Sequence, residues 1–222
     1  MKCKLLPKYN FCLSRLVTIS LFIMYTSLSG QSIVTEIVRD EIGNTYSIEY
    51  YGNSSKKLEL SKLETFHSNG HVSTLESLSG GLKDGSYKEF YDNGNIKIVG
   101  QYINGVKSGL WTEYFREGVT MRRYYSNENG KNGSNNAWFK NGGKKTRGEY
   151  SQGQKNGLWT IWYSNGVKES VITYNQGNQE GIFSYFYDNG NKKSEGIASY
   201  IGQKVQRCWD IYGNTQNCTK GD

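Results

Sequence analysis

The chain has 222 residues, of which 36% are hydrophobic and 14% aromatic, with 27 Gly against one Pro and a mean hydropathy of −0.70. So few aliphatic residues and so much glycine exclude a helical bundle with a thick core, and 18 Tyr suit short strands joined by tight turns. The formal net charge is +7, but four of the 27 Lys/Arg and none of the 20 Asp/Glu fall in the first 30 residues. The remainder therefore carries only +3, without the clustering expected of a nucleic-acid binder.

Residues 1–30 read as a secretory signal peptide. Lys2, Lys4, Lys8 and Arg15 form a basic leader, residues 16–28 are largely apolar, and the small residues Ser27, Ser29 and Gly30 follow. The apolar run is short for a membrane-spanning helix. Ser27 and Ser29 suit cleavage after Ser29, and cleavage after Gly30 would leave Gln31 first. The expectation is an exported protein, in the periplasm, the cell envelope or the extracellular space. The alternative is an uncleaved N-terminal anchor.

Residues 31–60 read as an N-terminal β cap, with strands at 33–38 and 45–51 and turns at 40–44 and 52–55. Residues 61–204 then repeat every 24 positions. GSYKEFYDNG starts at Gly85, GLWTEYFREG at Gly109, GSNNAWFKNG at Gly133, GLWTIWYSNG at Gly157 and GIFSYFYDNG at Gly181. A degenerate unit from Ser61 keeps the register through Phe66 and Asn69-Gly70. Periods of this size mark an array of one stacked supersecondary unit. Asn-Gly pairs begin at 69, 93, 104, 129, 132, 141, 156, 165 and 189, chiefly at two phases of the repeat. Read as type I′ turns, they predict two antiparallel strands per unit and an all-β, elongated meander of hairpins.

Alternation within 157–163 puts Trp159, Ile161 and Tyr163 on one face and Leu158 and Trp162 on the other. The same phase groups Trp111 with Trp159, and the sixth-position residues Phe90, Tyr114, Trp138, Trp162 and Phe186 line the second face. Two units depart from the pattern. Arg116-Glu117-Gly118 replaces one Asn-Gly turn, Tyr124-Tyr125 replaces a single aromatic one place later, and Asn135 replaces an aromatic. These departures predict a local twist or opening around 116–137. Residues 205–222 form a C-terminal cap hairpin in which Cys208 and Cys218 are placed to form a disulfide in an oxidising compartment.

The repeats resemble MORN repeats, in the bacterial variant form found in proteins labelled as antitoxin components of a toxin–antitoxin module. The resemblance rests on G-x-W-x-x-[YW]-[FY] at 109–115 and 157–163 and on G-x-Y-x-x-G at 100–105 and 148–153. It implies stacked β-hairpins over about 61–204, and the antitoxin label implies a protein partner.

Candidate chemistry is sparse. His67 and His71 are separated by a turn and lack a third ligand, so no metal site is expected. Asp92-Asn93-Gly94-Asn95 and its counterpart at 188–191 lack the ligand pattern of a calcium loop. Glu89, Glu113 and Glu149 are scattered singly, and no nucleophile or phosphate-binding motif occurs. The expectation is therefore a non-enzymatic protein without a cofactor. Its aromatics cover one another in place of a core, and Trp111, Tyr114, Trp138, Trp159, Trp162 and Tyr163 form a candidate binding strip, with Lys144, Lys145 and Lys168 interleaved. The favoured role is a scaffold that binds another protein or itself, a homodimer covering the aromatic rows. The alternatives are a cell-envelope glycan stacked on the Trp and Tyr strip and a membrane surface.

Overall fold

A computed structural model describes residues 19–20, 26–28, 31–40, 43–54, 57–199 and 204–218. Among them there are strands and turns and no helix. The expected leader falls outside the described residues except for two short strands, β1 (Ile19–Ser20) and β2 (Thr26–Leu28).

The chain divides into two compact units, residues 1–94 and 95–222. In the first, β1 and β2 each pair with β3 (Gln31–Arg39), and an antiparallel meander continues through β4 (Thr45–Ser54), β5 (Lys57–Phe66), β6 (Val72–Ser79) and β7 (Leu82–Phe90). The second is a longer antiparallel meander. It comprises β8 (Ile96–Ile103), β9 (Val106–Tyr114), β10 (Thr120–Asn127), β11 (Gly130–Trp138), β12 (Lys144–Ser151), β13 (Gln154–Trp162), β14 (Lys168–Asn175), β15 (Asn178–Phe186), β16 (Lys192–Ala198), β17 (Lys204–Trp209) and β18 (Thr215–Gln216). Each of these strands pairs with the next in sequence.

The two turn phases are chemically different. At Asn104-Gly105 both residues have positive φ, 48° and 81°, as a type I′ turn requires, and Gln152-Gly153 and Gln176-Gly177 do the same. At Asn165-Gly166 only the glycine is positive. Gly166 N–H donates to the Tyr163 carbonyl (3.0 Å) and Tyr163 N–H to the Val167 carbonyl (2.9 Å). That is a type I turn followed by a left-handed bulge residue, so the type I′ expectation fails at this phase. Here Asn has another use. Asn165 Oδ1 accepts the Val167 N–H, and its Nδ2 donates to the Asp188 carbonyl one repeat on (2.8 Å). Asn69 reaches the Asp92 carbonyl in the first unit in the same way.

The opening glycines are not strand starts. Each strand begins three residues earlier, and Gly85, Gly109, Gly133, Gly157 and Gly181 have φ between 69° and 101° inside it. Each sits where the register with the preceding strand shifts, for example between Arg147 and Glu149 opposite Gly157. A bulge with left-handed backbone is what glycine permits there.

Residues directly opposite across antiparallel strands share a face. In the second unit one face is covered. Register links Trp111 to Tyr124, Tyr124 to Asn135, Trp159 to Ile172, Ile172 to Phe183, and Ser194 to Cys208, and all of these are buried. Ile172, Phe183 and Ala198 form the densest cluster, flanked by Tyr174 and Tyr185. Burying a ring such as Phe183 stabilises by about 1.5–3 kcal/mol.

Lysine supplies much of the cover. Lys107 Nζ lies 4.2 Å from the Trp111 ring, and Lys155 Nζ lies 4.8 Å from both Trp159 and Tyr174. Lys131 reaches Tyr124 and Tyr150, and in the first unit Lys83 reaches Tyr87. These lysines recur every 24 residues, their stems over the rings and their ammonium groups toward water.

Two of the rings rest on glycine backbone. A Cβ on Gly100 would stand 2.4 Å from the Trp111 ring, and one on Gly148 2.2 Å from Trp159. In the hairpin between them the ring changes strands. Tyr124 occupies the position equivalent to Gly100 and Gly148, and Asn135, directly opposite, takes the tryptophan's place. The two departures are one compensating pair. The sheet does not open there: β10 pairs on both sides, and the Arg116-Glu117-Gly118 turn closes with the same two backbone bonds, 2.8 and 2.9 Å.

The last turn is built without a successor. The Asp210 carboxylate accepts the backbone N–H groups of Tyr212 and Asn214 and the Asn214 side-chain amide. Those bonds hold its carboxyl below the usual range. Cys208 and Cys218 form a disulfide across this hairpin.

Candidate binding surface

The other face of the second unit is open. Leu110 stands opposite Tyr125, and Ile182 opposite Ile197. With Leu158 they are exposed by between 46% and 61%, much more than apolar side chains on the covered face. Leu110, Leu158 and Ile182 occupy the second position of their units, so they form a row across the strands. Four residues along each strand runs a second row, the half-buried Tyr114, Trp138, Trp162 and Phe186.

Between the rows lies a groove of about 630 Å³ crossing β11 to β14. Trp138 and Trp162 wall it, two strands and therefore roughly 10 Å apart. Ser134, Asn136, Leu158 and Thr160 line its floor, and Lys144, Arg147, Glu149 and Lys168 its margins. The register explains the charges: Lys144 stands opposite Trp138, Lys168 opposite Trp162, and Arg147 between Asn136 and Thr160. The Arg123 guanidinium carbon lies 5.8 Å from the Trp138 ring centre, and Lys144 Nζ 5.9 Å from that of Trp162.

The six aromatic residues expected to form one strip are divided by the sheet. Trp138 and Trp162 wall the groove, and Tyr114 continues their row. Trp111 and Trp159 are on the covered face, 0% and 3% exposed, where Trp159 Nε1 donates to the Glu149 carbonyl (3.0 Å). Tyr163 sits at a strand end, and its hydroxyl donates to the Phe186 carbonyl (2.9 Å). Burial, followed by the charges of Glu169 and Asp188, raises its pKa.

Lys145 lies over Phe139, away from the groove margin. Sequence reasoning missed Leu110, Ile182, Ile197, Arg123 and Arg147. The 24-residue spacing of Leu110, Leu158 and Ile182 was the available signal.

Neither histidine is arranged as a ligand. His67 Nε2 is 3.0 Å from the Phe90 carbonyl oxygen, and His71 Nδ1 bonds to that of Asp92. Among the described residues, no group of three or more His, Cys, Asp or Glu could hold a metal ion.

A family model described as MORN repeat variant matches residues 83–104, 155–176 and 179–197. The chain carries MORN repeats. MORN repeats are generally non-enzymatic modules that engage proteins or membrane lipids. The matched stretches skip the hairpins around Tyr124 and Asn135, where the ring changes strands. The match supports the repeat and not the antitoxin part of the resemblance. No curated protein matches the chain.

Proposed function

We propose that this MORN-repeat chain is an exported, non-catalytic scaffold that docks a partner protein on the open face of its second unit. The observation that carries the reading is the exposed row of Leu110, Leu158, Ile182 and Ile197 beside a groove walled by Trp138 and Trp162. Aliphatic rows next to aromatic walls suit protein side chains, and exposed patches of this kind mark interaction sites. A stacked sugar is less well served, because cations lie near both tryptophan rings and the flanking row is aliphatic. An antitoxin-like role is the form of this reading in which the partner is a toxin. The domain plan that accompanies it is a leader over 1–30, caps at 31–60 and 205–222, and the array between them.

A photo-crosslinking residue in place of Leu158, in the producing cell, tests the proposal. The expected result is one discrete cross-linked product. It should be absent when the probe replaces Gln152 and lost when Trp138 and Trp162 are both changed to Ala. A product of twice the chain's mass would replace the partner with a second copy. A product that survives loss of both tryptophans would overturn the site. Recovery of processed chain beginning near Gln31 from the envelope or medium is the expected outcome for export.

A further inference from the structure

We infer that the occupant of the groove is an acidic segment of the partner, its carboxylates spaced to meet cations that recur at about 10 Å. This deepens the docking reading above and rests on it.

The groove margin holds three cations, Lys144, Arg147 and Lys168, against one carboxylate, Glu149. Arg123 adds a fourth cation beside Trp138. None of these four cations is in an ion pair among the described residues, whereas Lys140, Lys192 and Arg122 each face a glutamate. The cations are also ordered. Arg123 and Arg147 stand two strands apart, on β10 and β12, and Lys144 and Lys168 likewise, on β12 and β14. Two strand spacings are roughly 10 Å.

The pattern ends at β16. Glu195 stands where the equivalent residues of β10 and β12 are Arg123 and Arg147, and it neutralises Lys192. The positive stretch therefore coincides with the tryptophan-walled groove and stops beyond it. The second unit thus combines apolar contact for affinity with one sign of charge for selection. An acidic chain with interspersed aliphatic residues satisfies both. A basic one would bring like charges together over the tryptophans.

The test uses the full chain with its disulfide intact and three labelled 15-residue peptides, built from Glu and Leu, Ser and Leu, or Lys and Leu. Binding is followed by fluorescence anisotropy. The Glu/Leu peptide should bind at least about tenfold more tightly than the Ser/Leu peptide, and the difference should shrink with added salt. Arg147→Glu with Lys168→Glu should abolish that preference and favour the Lys/Leu peptide. Both positions are exposed, and near-UV circular dichroism checks that the fold is kept.

Equal binding of Glu/Leu and Ser/Leu, with both lost in Trp162→Ala, would overturn the acidic preference and leave the docking site standing. Failure of all three peptides to bind would overturn both. Heparin that competes as well as excess unlabelled Glu/Leu peptide would show unselective polyanion capture, which also overturns the inference.

Discussion

Two neighbouring hairpins solve the same packing problem in opposite ways. Across β12 and β13 the large ring is Trp159, lying on Gly148. Across β10 and β11 the large ring is Tyr124, opposite Asn135. Each pair combines one bulky and one small partner, so the repeat specifies the volume across two strands more strictly than the residue on either. Lysine follows the ring. Lys155 lies over Trp159 in its own strand, whereas Lys131 leans across to Tyr124 and Tyr150.

The comparison breaks hardest when one hairpin loses its ring. Tyr124→Gly should cost about 3–5 kcal/mol in urea denaturation, because Asn135 cannot fill the hole. Asn135→Trp alone should cost about 1–3 kcal/mol by overpacking. Combined, the two should rebuild the Gly148–Trp159 arrangement and show a favourable coupling of about 0.5–3 kcal/mol. Strict additivity would show that the two hairpins are not equivalent solutions.

Gly148→Ala is the next largest effect. The added Cβ would meet the core of a ring that is only 3% exposed, so the ring cannot swing clear. A loss of about 1–3 kcal/mol is expected. Unchanged stability would mean that β12 and β13 separate freely.

A smaller effect separates the hairpins by pH. Burial first, and then the Glu113 charge, pushes the Tyr124 hydroxyl up to about 12. The folded state therefore holds a proton that the unfolded chain, titrating near 10, releases earlier. The associated stability is whole below about pH 10 and is lost as pH climbs to about 12. Tyr124→Phe should show a shallower decline of the urea midpoint over that window.

The smallest effect belongs to the open face. Leu158→Ser should change stability by no more than about 0.5 kcal/mol, because the side chain is 54% exposed. It should nevertheless weaken partner capture. A large stability loss would place Leu158 in the core and remove it from the docking surface.

The strand count and phase were legible because Asn-Gly and aromatic pairs recur without slippage. Their roles were less so. Asn104-Gly105 and Asn165-Gly166 look alike in sequence, yet only the first has positive φ at both residues, because the second sits in a longer loop with a bulge. Gly157 marks each unit's phase well but lies inside β13, where only the paired strand reveals a bulge.

Alternation correctly separated Trp159 from Trp162. It could not say which face would be covered, since a period of two treats both faces alike. The cover came from lysine stems such as Lys107 and Lys155, residues usually read as solvated charge. Tyr124 and Asn135 looked like two irregularities because compensation across strands becomes visible only once their register is known.

The turn bonds give the second unit a direction. Tyr163 and Asn165 donate forward to Phe186 and Asp188, and Tyr187 and Asn189 donate forward to Trp209 and Ile211. Each turn thus leans on its successor, until Asp210 folds its own carboxylate back over the last one. Such a ladder has a head and a tail. Its length can change by whole steps of one hairpin pair, but only upstream of the turn that asks for nothing beyond itself.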